Sequence, residues 1–253
     1  MGFFQRLTGS PARTSAARPD HCHVEIDGEP VRVTLLWNER ARRYTLRLRG
    51  SVREPVVTIP DRGKLSEARA FLDRNRGWLQ ARLAALPAAT PLADGVSIPL
   101  RGTPVRIVHQ PGRGIVRLQA QEDEMLLLVP GDIDHLPRRI TDFLKREARR
   151  DLEAATARHA ASLGVTVKTI RLGDPTSRWG SCSSSGTIAY SWRMILAPPS
   201  VLDYLAAHEV AHLREMNHSA RFWRHVASIC PGMAEAKAWL VRHGATLHAV
   251  GAQ

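Results

Sequence analysis

The sequence predicts an α+β protein with a β-rich N-terminal region followed by a more helical C-terminal region. Apolar and polar residues alternate over 31–35, which is typical of a strand that buries one face. Apolar residues recur at helical spacing over 135–162, and a further segment, about 200–215, is apolar almost throughout. Strands gathered ahead of long helices are the pattern of the α+β class.

The composition limits the classes of protein that the chain can form. Its 253 residues are 43% hydrophobic and 24% charged, so we do not expect a wholly disordered chain. No apolar run approaches the roughly 18 residues of a membrane-spanning helix, and we expect no membrane partner. Three scattered cysteines without a signal-peptide pattern predict a cytoplasmic protein rather than a disulfide-rich secreted one.

The charge balance raises the question of a polyanionic partner. The chain carries 36 basic and 24 acidic side chains, a formal net charge of +12. An excess of this kind makes nucleic acid or another polyanion a candidate partner. The densest basic run, from Arg40 to Arg49, also contains Leu46 and Leu48 in alternation with arginines. We therefore prefer a solvated strand face as the interpretation of that run, with a polyanion-binding strip as the alternative.

Local patterns predict the first elements. Residues 1–19 are expected to form a flexible tail because they combine Arg, Ser and Pro. Residues 21–60 predict short strands, which end at a proline. Residues 65–86 predict one helix, for which Ser66 is the expected cap.

A second group of strands and a long helix follow. A linker at 87–91 leads into strands that continue to Val129. The helix predicted over 135–162 ends at Gly164, a residue suited to a left-handed helix terminus. The predicted domains are the tail at 1–19, a β-rich region with one helix at 20–132, and a C-terminal domain at 133–253.

The C-terminal region holds the informative elements. Its predicted strands are 165–172 and 187–196, and its predicted helices are 200–215, a second after Ser219, and 233–248. Ser183–Gly186 predict a hairpin turn ahead of the second strand. Within that strand, Tyr190 and Trp192 would share one face and Arg193 would point to the other.

The segment His208-Glu209-Val210-Ala211-His212 matches the H-E-x-x-H pattern. Residues four apart on a helix lie on one face, so His208 and His212 can bind one Zn²⁺, expected at one per chain. Glu209 is the predicted general base that takes a proton from the zinc-activated water. The rest of the helix is apolar, and polar groups buried there need a partner such as a metal.

A catalytic zinc usually takes three protein ligands, and His218 is the predicted third. Ten residues of unbroken helix would separate it from His208 by about 15 Å, so the helix must end before it. Asn217 can adopt a left-handed terminal conformation, and Ser219 can cap the next helix. Two carboxylates remain as alternative ligands, chiefly Glu235 and also Glu215, for which a solvated side chain is the preferred interpretation.

Several segments resemble one known family. The segments are Arg178-Trp179-Gly180-Ser181-Cys182-Ser183, Ser191-Trp192-Arg193-Met194-Ile195, Ala197-Pro198-Pro199, the H-E-x-x-H helix from Asp203 to Leu213, and Asn217-His218-Ser219 with Phe222-Trp223. Together they resemble the YgjP-like metallopeptidases, which are related to the WLM and SprT-like proteases. The resemblance implies a minimal zincin-like α+β core, zinc held by His208, His212 and His218, and Glu209 as general base.

The resemblance also suggests roles around the site. In zincins an edge strand comparable to 187–196 can pair with an extended peptide, which makes strand addition a hypothesis here. Arg193 is a candidate contact for a carboxylate or a substrate oxyanion, and Tyr190 and Tyr204 are further candidates for that contact. We expect Cys182 to be a packed thiol rather than a nucleophile.

Three functions are consistent with these features. The first is a zinc metallopeptidase that acts on a protein or peptide substrate. The second is a zinc hydrolase of a phosphate-containing substrate such as a nucleotide, which the arginine excess would suit. The third is a nucleic-acid or polyanion-binding protein that uses its Arg-rich surface.

Overall fold

The computed structural model describes residues 18–49 and 54–252. The predicted tail therefore lies outside the described residues, apart from its last two positions. The chain divides into two compact units. The first unit contains the described residues up to Arg47 together with Pro55–Trp78. The second unit contains the described residues between Leu48 and Glu54 and all described residues from Leu79 onward. The domain boundary predicted at 132/133 lies inside the second unit and stays a prediction.

The first unit is built on a four-stranded sheet. The strands are β1 (His21–Ile26), β2 (Glu29–Asn38), β3 (Thr45–Arg49) and β4 (Glu54–Pro60), in the order β1-β2-β4-β3. β1 pairs antiparallel with β2, and β2 pairs parallel with β4. Val33 and Leu35 are buried, as their alternation predicts.

The single helix predicted at 65–86 is wrong, because the chain forms two helices, α1 (Leu65–Arg74) and α2 (Arg76–Ala84). Asn75 separates them, and its side-chain amide donates to the carbonyl of Phe71 at 2.7 Å. Such a side-chain bond competes with the backbone bonds that would continue a helix. Ser66 is not the cap, since Lys64 precedes α1 and provides no side-chain cap bond.

The second unit contains two sheets and a long central helix. The first of these sheets has the order β5-β6-β8-β7, formed by β5 (Ser97–Leu100), β6 (Thr103–Gln110), β7 (Arg117–Gln121) and β8 (Glu124–Pro130). α3 (Leu136–Leu163) confirms the helix predicted at 135–162, and it ends at Gly164 in the left-handed conformation (φ 60°). The apolar side predicted for it is buried.

The second sheet of this unit has three strands, β9 (Thr169–Gly173), β10 (Gly180–Cys182) and β11 (Thr187–Ser191), in the order β10-β11-β9. The strand predicted at 187–196 is too long, because Trp192–Leu196 form a 3₁₀ turn. Ser191 starts this turn, and its hydroxyl accepts the N–H of Arg193 at 3.3 Å. β11 is also the central strand, which overturns the expectation that it is an edge.

Three helices complete the unit: α4 (Pro199–Ala211), α5 (Ala220–Ile229) and α6 (Met233–Ala249). α4 begins with Pro199 in its first turn, as predicted, but it ends at Ala211 rather than near 215. Nine of its 13 residues are buried, so the H-E-x-x-H segment lies within the core of the unit. None of the described helices is both long and apolar enough to cross a membrane.

Candidate metal centre

Helix α4 places two of the predicted ligands side by side. His208 lies in its last turn, and His212 directly follows its end with helical backbone angles (φ −62°, ψ −22°). The centroids of the two imidazole rings are 5.0 Å apart. The four-residue spacing therefore brings both rings to one face, as the helical repeat predicts.

The chain turns back after α4 and brings in His218. The backbone N–H groups of residues 213–215 bond to carbonyls in the last turn of α4. Ser219 then starts α5, because its hydroxyl accepts the N–H of Phe222 at 3.3 Å, which confirms the predicted cap. His218 thus stands in the joint between two helices, where it can approach His208.

The conformation predicted for Asn217 is wrong. Among the described non-glycine residues, only Asp27, Arg101 and Glu122 have a positive φ. The side-chain oxygen of Asn217 instead accepts the N–H of Ser219 at 2.9 Å. This local bond turns the chain without a left-handed residue.

The three histidines converge on one point. Their nearest ring nitrogens all lie within 4.8 Å of one another, and no other such group of potential ligands occurs in the described part of the chain. The Nε2 atoms of His208 and His218 are 3.1 Å apart. Two nitrogens on one tetrahedral zinc, each at about 2.0–2.1 Å, lie roughly 3.3 Å apart. The donor set and its spacing therefore fit a zinc ion.

The surroundings orient His212 for metal binding. Its Nδ1 lies 3.2 Å from the carbonyl oxygen of Glu215. A carbonyl only accepts, so Nδ1 carries the proton and Nε2 keeps its lone pair for a metal. The backbone of Glu215, rather than its carboxylate, thus serves the site.

Aromatic side chains of α5 lie beneath the histidines. The ring of Phe222 is fully buried, and its centroid is 4.5–4.9 Å from those of all three imidazoles. The ring of Trp223 lies 5.7 Å from His208 and 5.8 Å from His218. These apolar contacts fix the ring planes and keep water from one side of the site.

Burial keeps the imidazoles of His208 and His212 neutral. Burial is the largest cause that lowers the pKa of His208 to about 4, and the nearby His212, His218 and Lys237 contribute to this shift. Burial also lowers the pKa of His212. Neutral imidazole is the form that binds a metal, so the site is prepared for a cation near neutral pH.

Glu209 lies beside the histidines in a buried pocket. It is 4% exposed, and burial raises its pKa to about 7, while the charge of Arg178 acts in the opposite direction. Its Oε2 has no hydrogen-bond partner in the described part of the protein. A carboxyl group with a pKa near 7 can accept and return a proton at neutral pH.

Two of the predicted substrate contacts have partners of their own. The guanidinium of Arg193 bonds to both carboxylate oxygens of Asp174 (2.6 and 3.0 Å) and to carbonyls at the end of α6. The hydroxyl of Tyr190 lies 2.9 Å from that of Thr156 in the core. These contacts do not favour a substrate role for either residue. Tyr204 is buried, with its ring 6.0 Å from His208, and its contact role stays a prediction.

Other candidate donors remain outside the cluster. Burial and the charge of Glu209 raise the pKa of Cys182 to about 11, as expected for a thiol that is not a nucleophile. Glu235 is exposed and does not belong to the metal-binding group. His248 is buried, and its ring is stacked on that of Trp179 with centroids 4.2 Å apart.

Sequence reasoning missed the role of Gly180. A Cβ atom at this position would lie 2.5 Å from Oε1 and 2.8 Å from Cδ of Glu209. A residue with a Cβ at this position would therefore have to displace the side chain of Glu209. The Trp179-Gly180 pair stands out in the sequence, but only the fold shows which group lies against it.

Residues 42–243 match the family model described as "YgjP-like, metallopeptidase domain". The chain belongs to the YgjP-like family. This match confirms the resemblance drawn from the motifs, and it identifies a protein of a metallopeptidase family. The match spans the three-histidine site and Glu209.

A search of curated proteins found no match. Among solved structures, one similar chain is the metallopeptidase zymogen of Pyrococcus abyssi abylysin, at 23% sequence identity. The similarity covers 36% of this YgjP-like chain and 93% of that chain, with a TM-score of 0.33. A similarity at this level does not define the fold or function of the YgjP-like protein.

Proposed function

We propose that the protein is a zinc-dependent metallopeptidase that hydrolyses peptide bonds, with Glu209 as general base. The observation that carries the proposal is the convergence of three imidazoles beside a buried carboxyl group. His208, His212 and His218 would hold the metal. When bound, zinc lowers the pKa of water and polarises a carbonyl group.

The residues of the chain perform the proton transfers. The carboxylate of Glu209 accepts a proton from the attacking water and then donates it to the leaving amine. Because the pKa of Glu209 is raised to about 7, both transfers can occur near neutral pH. The absence of a side chain at Gly180 leaves room for this carboxyl group next to β10.

The sheet supports a peptide as the substrate. Among the described strands β10 pairs only with β11, so it is an edge strand, and its Gly180 lies against Glu209. An extended peptide can add to such an edge by backbone hydrogen bonds. The strand-addition hypothesis therefore moves from residues 187–196 to β10.

The test is the Glu209→Gln variant, compared with the wild type on a mixture of denatured proteins and on nucleotides. We expect the variant to keep its zinc and to lose at least about a hundredfold in peptide hydrolysis, a typical contribution of a general base. Full peptide hydrolysis in the variant would contradict the proposed mechanism. Nucleotide hydrolysis that requires zinc and Glu209, without peptide cleavage, would favour the phosphate-directed alternative.

A further inference from the structure

Lys237, on α6, borders the metal centre. Its ammonium group lies 4.5 Å from the ring centroid of Trp223, the residue whose ring lies 5.7 Å from His208. The positive charge of Lys237 is felt at His208, whose pKa it helps to lower. In the described part of the chain its ammonium group forms no ion pair with a carboxylate.

Arg178 provides a second cation, on the strand side of the site. It stands two residues before Gly180, which touches the carboxyl group of Glu209, and its charge lowers the pKa of that carboxyl group. The side chain is exposed, and its guanidinium has no hydrogen bond or ion pair within the described ranges.

Other arginines near the site differ in this respect. Arg193 is paired with Asp174, the guanidinium of Arg214 bonds to two backbone carbonyls, and Arg221 lies 3.9 Å from the carboxylate of Glu215. Arg178 acts electrostatically on Glu209 but forms no ion pair, and Lys237 forms none either, among the described residues; both lie beside a site that would hold a dication. A bound anion would relieve the repulsion among these charges.

We propose that Arg178 and Lys237 are specificity-determining residues that select peptides with a carboxylate within one or two residues of the scissile bond. The carboxylate would come from an acidic side chain or from the peptide's own C-terminus. A guanidinium on the strand side can bind it through two parallel hydrogen bonds, and the ammonium on α6 acts as a point charge. This inference rests on the proposed peptidase function.

Two hydroxamates test the inference without turnover. N-acetyl-glutamate hydroxamate and N-acetyl-glutamine hydroxamate share the zinc-binding group and differ in the charge of the side chain. With the zinc-loaded protein at low salt, we expect the glutamate compound to bind about tenfold more tightly, which corresponds to about 1.4 kcal/mol. The preference should shrink as salt is added, because the ion pairs are exposed.

The variants assign the preference to its residues. In the Arg178→Gln, Lys237→Gln double variant the two hydroxamates should bind equally, whereas the matched control Arg117→Gln, a charge change on β7, should keep the tenfold ratio. The inference would be overturned if the wild type bound both hydroxamates equally, or if the double variant kept the tenfold ratio of the two affinities. Inorganic phosphate that displaces the glutamate compound at lower concentration than acetate does would overturn the choice of a carboxylate.

Peptide cleavage separates this inference from the proposed function. Sequencing of the products from a peptide library should show Asp or Glu close to the cleaved bonds, with that enrichment lost in the double variant. Cleavage without such enrichment would overturn the inference and leave the peptidase function intact. A hydroxamate preference in a protein that cleaves no peptide would contradict the peptidase function while keeping the selection for anions.

Discussion

The backbone of Gly180 lies directly against the carboxyl group of Glu209, so close that a Cβ atom would be 2.5 Å from Oε1. Replacement of Gly180 by Ala must therefore displace Glu209 from its place beside the histidines. We expect zinc content to be unchanged and turnover to fall about a hundredfold or more, the range for a misplaced general base. Metal analysis and peptide hydrolysis would be measured on the same preparation.

Gly173→Ala is the matched control, since a Cβ atom there would meet its neighbour at an ordinary 3.7 Å on a strand of the same sheet. It should retain activity. Normal turnover in Gly180→Ala would show that Glu209 does not need this contact.

The raised pKa of Glu209 predicts how the stability of the metal-free protein depends on pH. Burial raises it from 4.5 to about 7, so the folded protein resists ionising this group. The cost of ionising Glu209 lowers the stability of the folded protein. This cost is absent below pH 4.5, grows as the pH rises to 7, and is complete above pH 7. Metal-free Glu209→Gln should therefore match the wild type at pH 4.5 and be up to about 3 kcal/mol more stable at pH 8.

Urea denaturation of chelator-treated proteins at the two pH values measures this difference. If the two proteins differed in free energy of unfolding by the same amount at both pH values, the difference would not arise from ionisation of the Glu209 carboxyl group. That result would contradict the prediction.

The cap of α5 links local stability to His218, the proposed third ligand. Ser219 accepts the N–H of Phe222 and directly follows His218. Ser219→Ala should lower the free energy of unfolding by about 1 kcal/mol and weaken zinc binding, because His218 is then held less firmly. Ser228→Ala, which removes a hydroxyl at the other end of α5, should leave zinc affinity unchanged. If the loss of the cap left zinc affinity unchanged, the position of His218 would not depend on the start of α5.

We predict that Arg193 stabilises the folded protein and does not contact the substrate. Its guanidinium is 8% exposed and joins Asp174 to the carbonyls of Leu247, His248 and Val250. Arg193→Met should lower the free energy of unfolding by on the order of 3 kcal/mol, because it leaves buried carbonyls without a donor. At temperatures where the variant is folded, KM for a peptide substrate should match that of the wild type. A raised KM with unchanged stability would restore the substrate contact expected from the sequence.

The sequence predicted the features that depend on local spacing. The H-E-x-x-H repeat, the position of His218 in a joint between helices, the cap at Ser219 and the end of α3 at Gly164 all follow from the geometry of one or two helical turns. The structure shows each of these features where the sequence placed it.

Features that depend on distant partners could not be predicted. The alternation that began in β11 ran on into a turn at Trp192, where every residue to Leu196 is buried. An alternating pattern cannot distinguish a strand from a turn that is buried on all sides. The partners that hold Arg193 lie 19 and more than 50 residues away along the chain, so its role required the fold.

The content of metal in gently purified protein tests the central claim most directly. It should be measured in the wild type and in the His208→Ala, His212→Ala double variant, with circular dichroism to verify that both are folded. We expect about one zinc ion per chain in the wild type and none in the variant. A folded wild type that contains no metal and takes up none when zinc is added would contradict it.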